Sequence, residues 1–380
     1  RERENHISSD SWPIYISLQK DGILFKMRRT QDLPDKESAT MFFQDCKLAH
    51  QAQITGISHS VKEILPPDLL DLTQLQKEAN IRYGYTASEV YDIAQSLYEK
   101  KLISYPRTSS RYLTEDVFDS LSPIMTRLLS WELFPVAKGT GGIDISSLSR
   151  HVISAEKANV HHAIIITGIR PGNMSEKEMQ VYRLVAGRML EVFMAPCRIE
   201  TTNVEAVCAA QHFKAEQTRI IEAGWHDVFM HSDMIPTSGY SVKELPEVEK
   251  GDTLNVCGCN MVHKKQLPVD PFTDAELVEY MELNGLGTVS SRTNIIRTLV
   301  NRKYIRYSGK YIVPTPKGMF TYETIRGKKI ADTSLTADWE KQLTGLESGM
   351  ITGQDFLNRI RTLAKEMTDD IFNTYSTKEE

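Results

Sequence analysis

The sequence predicts an α+β protein of several domains. Two segments patterned as β-strands, residues 10–65 and 193–262, flank a helical segment, and a second helical segment follows from residue 263. One short pattern also recurs, without gaps, in both helical segments. The simplest arrangement pairs the two β-rich segments into one domain that carries the first helical segment as an insert.

The first element is a β-hairpin over residues 12–29. Ile14, Ile16 and Leu18 alternate with polar neighbours, Lys20-Asp21-Gly22 offers a turn, and Ile23, Phe25 and Met27 return. Strand signals continue through Gln53–Ile57 to about Ile64, where Pro66-Pro67 breaks the pattern. From Asp71 the apolar period becomes helical, with Leu72, Leu75 and Ala79 on one face. Ser88 is the expected N-cap of a second helix bearing Val90, Ile93, Ala94 and Leu97. Helical signals resume over 117–133 and 175–194, separated by the Gly139–Gly142 loop. Strands are expected at Ile199–Val207, Phe213–Ala215 and Thr253–Val256. From residue 267 the chain is helical, apart from a hairpin at Tyr304–Val313. Trp339, Leu343 and Leu346, then Phe356, Ile360 and Leu363, form apolar stripes expected in a core.

At 380 residues with a net charge of −5, the chain is not a protein that coats duplex DNA, although a local basic groove is compatible with that balance. No run of about 18 apolar residues occurs, so no membrane span is expected. An odd count of five scattered cysteines suits a reducing, cytoplasmic setting. Cys257-Gly-Cys259 with His263 nearby has too few ligands for structural zinc, and no metal site is assigned.

Chemistry concentrates in Ile103-Ser104-Tyr105-Pro106-Arg107-Thr108. A tyrosine phenol has a pKa of about 10 and is a poor nucleophile at neutral pH. A neighbouring guanidinium favours the phenolate and neutralises a phosphate under attack, so the segment suits a covalent phosphotyrosine. The recurring pattern bears on this directly. Ile93 through Tyr105 aligns on Ile295 through Tyr307, with isoleucine, leucine, lysine, isoleucine and tyrosine at matching offsets. Each copy reads as an apolar-faced helix, a basic tip and an extended segment, the pattern of a helix-turn-helix with a wing. The second copy lacks the Pro106-Arg107-Thr108 that follows Tyr105.

The hexapeptide resembles the active-site segment of type IA DNA topoisomerases, in the manner of bacterial topoisomerase III. Further segments resemble the same family in the same order: Leu72–Asn80 with Tyr83-Gly84-Tyr85, His161-His162-Ala163-Ile164-Ile165, Asn284-Gly285-Leu286-Gly287-Thr288 through Arg292, and Leu335-Thr336-Ala337-Asp338-Trp339-Glu340. The resemblance implies part of a torus. Residues 1–9 would end the first part of domain IV, and 10–65 with 193–262 would form the β-rich arch, domain II. Residues 66–192 would form the gate, domain III, bearing the tyrosine, and 263–380 the rest of domain IV, with winged-helix units in both helical domains.

By the same resemblance, Tyr105 attacks a phosphodiester of single-stranded DNA and leaves a 5′-phosphotyrosine. Arg107 and His161 meet the phosphate, and Thr108, Ser109, Arg111, His162, Thr288 and Arg292 bind the strand. The family's Mg²⁺ sits in a toprim domain with an Asp-x-Asp-x-Asp motif, which this sequence lacks. The chain therefore reads as a monomeric, nucleoid-associated fragment without its toprim partner and without bound metal. Ser109, Val160, Ile166 and Ser291 replace the family's usual Asp, Asp, Pro and Thr. A tyrosine recombinase does not fit, because the tyrosine precedes the His pair and neither His is followed three residues on by Arg. A non-catalytic, winged-helix module that binds single-stranded DNA is the rival reading.

Overall fold

The computed structural model describes residues 8–131, 133–134, 148–158, 161–229 and 238–376; Arg1–Glu4, the Gly139–Gly142 loop and Val160 lie outside the described residues. The chain divides into two compact units, one of Arg1–Pro67, Phe134–Asp144 and Leu190–Asp270, the other of Asp68–Leu133, Ile145–Met189 and Pro271–Glu380. Segments 66–192 and 263–380, expected as separate domains, thus fall mainly in one unit.

The first unit is built on a closed antiparallel barrel. Its elements are β1 (Asp10–Ser11), β2 (Ile14–Lys20), β3 (Ile23–Arg29), α1 (Lys36–Leu48), β4 (Gln51–Ile64), β5 (Cys197–Cys208), β6 (Gln211–Glu222), β7 (Thr253–Met261) and β8 (Lys264–Lys265). The barrel order is β2-β3-β6-β5-β4-β7, closed by pairing of β7 with β2. The β2–β3 hairpin forms because Asp21 and Gly22 both take positive φ, which matches the right-handed twist of the flanking strands. Inward residues of both β-rich segments, among them Ile14, Ile16, Leu18, Phe25, Met27, Ile54, Val204 and Phe213, make one core.

Helix α1 interrupts a stretch that reads as strand. Asp35 caps it by accepting from the Ser38 amide at 2.7 Å, and its buried Ala39 and Cys46 lie against the barrel. Strand β7 carries a bulge where its register against β2 shifts between Ser17 and Leu18. The extra residue re-aims the side chains, so Cys257 is exposed while Cys259 packs on the core. His263 meanwhile stacks on Trp12 at 4.3 Å and bonds Asp10 at 2.9 Å. The three residues weighed for zinc are thus engaged separately.

The second unit is helical, with α2 (Leu72–Tyr83), α3 (Ala87–Glu99), α4 (Glu115–Asp119), α5 (Leu121–Ser130), α6 (Ala155–Ala158), α7 (Glu176–Glu191), α8 (Asp274–Leu283), α9 (Val289–Asn301), β9 (Ile305–Ser308), β10 (Tyr311–Pro314), α10 (Pro316–Ile325), α11 (Thr333–Glu347) and α12 (Gly353–Ser376). The N-cap of α3 is Thr86, in a capping box with Glu89, rather than Ser88. Ser88 lies inside the first turn, where its hydroxyl accepts from Arg297 on α9 at 2.8 Å. Ala87, Val278, Met281, Ile296 and Ile312 form a core between the two helix pairs. The stripes on α11 and α12 are only half-covered: Leu343 is exposed, and Phe356, Ile360 and Leu363 are half-buried.

The sequence repeat is a structural repeat, and it reaches beyond the aligned segment. Asp71 and Thr273 are the N-caps of α2 and α8, and Thr86 and Thr288 those of α3 and α9. After α3 and α9 the chain turns through Lys101 and Lys303 at φ 59° and 60°. Leu102 N bonds Leu97 O, and Tyr304 N bonds Leu299 O, each at 2.9 Å. A threonine then closes each copy: Thr167 Oγ1 donates to Lys101 O, and Thr315 Oγ1 to Lys303 O. Thr315 follows β10, the second strand of a hairpin. Thr167 ends the segment 163–167, which bonds back to Leu70 and Ser104. The His161-His162-Ala163 motif therefore enters the segment equivalent to β10.

Candidate functional site

Helix α3 and the segment after His161 together fix the tyrosine. Ile103, buried, bridges to Ile166. Ser104 N donates to Ile165 O at 2.8 Å, while its hydroxyl donates to Ala163 O at 3.1 Å and accepts from Ile165 N at 2.9 Å. Ser104 thus pins both sides of the crossing. The half-buried Tyr105 ring then lies 4.4 Å from the His161 ring and 5.4 Å, edge-on, from Tyr98. His161 is exposed. Among the described residues, no hydrogen bond engages the Tyr105 hydroxyl. The equivalent Tyr307 differs: its hydroxyl donates to the buried Asp274 at 3.1 Å, and burial together with that carboxylate pushes its pKa up.

Arg107 is held from beneath. Its guanidinium carbon sits 5.2 Å from the Tyr91 ring centre, and Nη2 donates to Gln95 Oε1 at 3.1 Å. Its buried Nε has no hydrogen-bond partner. Tyr91 and Gln95, one helical turn apart on α3, went unnoticed in the sequence; their spacing is the signal that finds them.

Two expected strand-binding residues also have partners within the protein. Thr108 is buried; its hydroxyl donates to His161 O at 2.9 Å and accepts from Ser110 N at 3.0 Å. It fixes the backbone of His161 and presents no hydroxyl to solvent. Arg111 pairs with Asp71, Nε to Oδ2 at 2.7 Å. Asp71 also accepts from Gln74 N at 2.7 Å as the cap of α2, and burial raises its pKa against the pull of that amide and of Arg111. Ser109 is exposed, and the half-buried His162 donates from Nδ1 to Ala163 O at 2.7 Å.

Thr288 and Arg292 sit at the start of α9. Gly285 and Gly287 both take positive φ, 64° and 70°, and a Cβ at Gly285 would reach 3.0 Å from Ala337 Cβ, so both backbone conformation and space favour glycine at Gly285. Thr288 N donates to Ser291 Oγ at 2.8 Å, a cap that serine serves as threonine would. Arg292 is 8% exposed; its Nη1 lies 3.7 Å from Glu282 Oε1, and neither Nε nor Nη1 has a hydrogen-bond partner. Burial pulls its pKa down, while Glu282 and Asp71 pull it back. Asp71 thus couples Arg292 electrostatically to Arg111, and the Thr108 carbonyl accepts from Leu72 N, next to Asp71. The structure brings Tyr105, His161 and Thr108 together, and sets Asp71 in an ion pair with Arg111 and within electrostatic reach of Arg292. Among the described residues no cluster of acidic, His or Cys side chains fits a metal ion.

Residues 1–358 match the family model described as DNA topoisomerase. The chain is 31% identical to DNA topoisomerase 3 of Bacillus licheniformis over 344 residues, which cover 84% of this chain and 47% of that protein. It is 30% identical to DNA topoisomerase 3 of Bacillus subtilis over 352 residues, 86% of this chain and 48% of that one. Among solved structures, full-length topoisomerase I from Thermotoga maritima matches with a TM-score of 0.74 at 22% identity, over 97% of this chain and 60% of that one. The chain therefore spans about half the length of the curated relatives it matches.

Proposed function

The chain belongs to the type IA DNA topoisomerases, and from that premise we propose that Tyr105 is the nucleophile of a reversible single-strand DNA break. The phenol oxygen attacks a backbone phosphorus, and the bond from phosphorus to the 3′ oxygen breaks. The phenol proton passes to solvent, and the leaving oxygen takes up a proton as a free 3′-hydroxyl. The 5′-phosphotyrosine keeps the energy of the broken ester, so the hydroxyl reseals the strand without ATP. Passage of another strand through the break relaxes or decatenates DNA.

One contrast carries this reading. Two tyrosines occupy equivalent positions in the repeat; the Tyr307 hydroxyl is tied to a buried carboxylate, and the Tyr105 hydroxyl lies unengaged beside an exposed imidazole. Arg107, braced by Tyr91 and Gln95, holds a guanidinium on the same segment to position the phosphate. His161, with its backbone fixed by Thr108, contacts the phosphate oxygens. Ser109, His162, Thr288 and Arg292 bind the flanking strand, Thr288 from the start of α9 and Arg292 through a guanidinium whose Nε and Nη1 make no hydrogen bond within the protein. The helix-turn-helix units act as winged helices, and the barrel as the arch of a torus. The Mg²⁺ that the family uses would be held by the Asp-x-Asp-x-Asp carboxylates of a toprim domain, a motif that this sequence lacks.

The test is a covalent adduct. The chain is incubated with labelled single-stranded DNA, alone and with a separately made toprim domain plus Mg²⁺, and then denatured. Label should remain on the protein in the complemented reaction and vanish in Tyr105→Phe, with binding retained. Binding without adduct in both reactions would leave a DNA-binding module; no binding at low salt would refute both readings.

A further inference from the structure

Three cysteines from distant parts of the sequence converge where α1 packs on the barrel. Cys46 lies on α1, Cys208 at the end of β5 and Cys259 on β7. Cys46 and Cys208 belong to the barrel core, and Cys259 packs against it. Helix α1 packs directly on β7, and Cys46 shares one core with both other cysteines. The Cys259 sulfur also lies 3.9 Å from the carbonyl of Phe43, one turn earlier on α1. Their exposures differ: Cys46 and Cys208 are sealed from solvent, whereas Cys259 is partly exposed. The bulge in β7 produces this arrangement, since regular pleating would put Cys257 on the same face as Cys259.

We propose that Cys259 and Cys46 form a peroxide-responsive thiol pair, with Cys259 the sulfur that reacts first and Cys46 the one that resolves it. The Cys259 thiolate attacks one oxygen of hydrogen peroxide, the O–O bond breaks, and hydroxide leaves and is protonated to water. Cys259 is then a sulfenic acid. The Cys46 sulfur attacks the Cys259 sulfur, the S–OH bond breaks, and the hydroxyl departs with the Cys46 proton as a second water. Two thiols are oxidised to one disulfide, one peroxide is reduced to two waters, and α1 is bonded to β7.

The environment favours that order. The Cys46 hydrogen bond lowers the pKa of Cys259 against the effect of burial, with the Asn260 amide and Lys47 helping. Cys46 is itself raised to about 12, and Cys208 is pushed higher still by Cys46 and burial. Of the three clustered thiols, the partly exposed Cys259 is therefore the one that ionises most readily.

The experiment treats the whole chain with hydrogen peroxide and maps disulfides under non-reducing conditions. Two of the five thiols should disappear, with the Cys46 and Cys259 peptides joined and released by dithiothreitol. Cys257→Ser should leave the cross-link unchanged. In Cys46→Ser, or Cys46→Ala if the serine disturbs the fold by circular dichroism, dimedone should trap a sulfenic acid on Cys259. Oxidation confined to Cys257, a Cys46–Cys208 link, or over-oxidation of Cys259 without a cross-link would each overturn the proposal.

Discussion

Tyr105 and Tyr307 stand at the same offset of a repeat, yet their hydroxyls meet opposite surroundings. Tyr307→Phe strands one oxygen of the buried Asp274 and should cost about 1–3 kcal/mol of stability, read by denaturant melts, while leaving adduct formation intact. Glu178 makes a second prediction at this scale. Its hydrogen-bonded ion pair with Lys100, the Ser175 amide and the Ser96 hydroxyl hold its pKa at about 2, against an ordinary 4.5. A carboxylate lowered in the folded state stabilises above its unfolded pKa and loses that contribution as pH falls toward the folded value. Between about pH 4.5 and pH 2 the parent chain should lose more stability than Glu178→Gln; parallel slopes in acid titrations would refute this. The hexapeptide, the His pair and the second tyrosine were legible in the sequence because each sits in a contiguous motif. The commitments of Thr108 and Arg111 were not: their partners, His161 and Asp71, lie 53 and 40 residues away.

At the scale of elements, the repeat was legible because its apolar positions and basic tip recur at one fixed offset. Its completion was hidden, since the first copy reaches its second extended segment only after a long insertion that ends at His161. Helix α1 was missed although Ala39, Phe42, Phe43 and Cys46 mark its inner face at helical spacing, a signal that the flanking strand patterns overrode; the β7 bulge was missed because register against a partner strand is not written in either strand alone. The β5–β6 turn offers a direct check. Ala209 and Ala210 both take positive φ, 49° and 58°, where alanine is strained and Asn-Gly is not. Replacing the pair by Asn-Gly should raise the unfolding free energy by about 1–2 kcal/mol; a neutral or lower value in chemical denaturation would contradict the turn geometry.

For the whole molecule, pairing of the two β-rich segments followed from strand patterns on either side of a helical insert, and barrel closure did not, because it depends on β7 meeting both β2 and β4. No helix among the described residues is long and apolar enough to cross a membrane. The net charge of −5 makes any nucleic-acid affinity a local matter, which the proposed function assigns to a few side chains in the second unit. Binding of single-stranded DNA should weaken with salt, with a log–log slope of about −0.7 per phosphate contacted. Arg292→Gln should make that slope shallower by about 0.7; an unchanged slope would remove Arg292 from the strand-binding set.

The most direct test of the central claim is to find the residue that carries the DNA. The complemented adduct is digested with nuclease and protease, and the peptide bearing a nucleotide remnant is sequenced by mass spectrometry. The account predicts the remnant on Tyr105, in the peptide containing Pro106-Arg107-Thr108; a remnant on Tyr307, Tyr98 or any other side chain would contradict it.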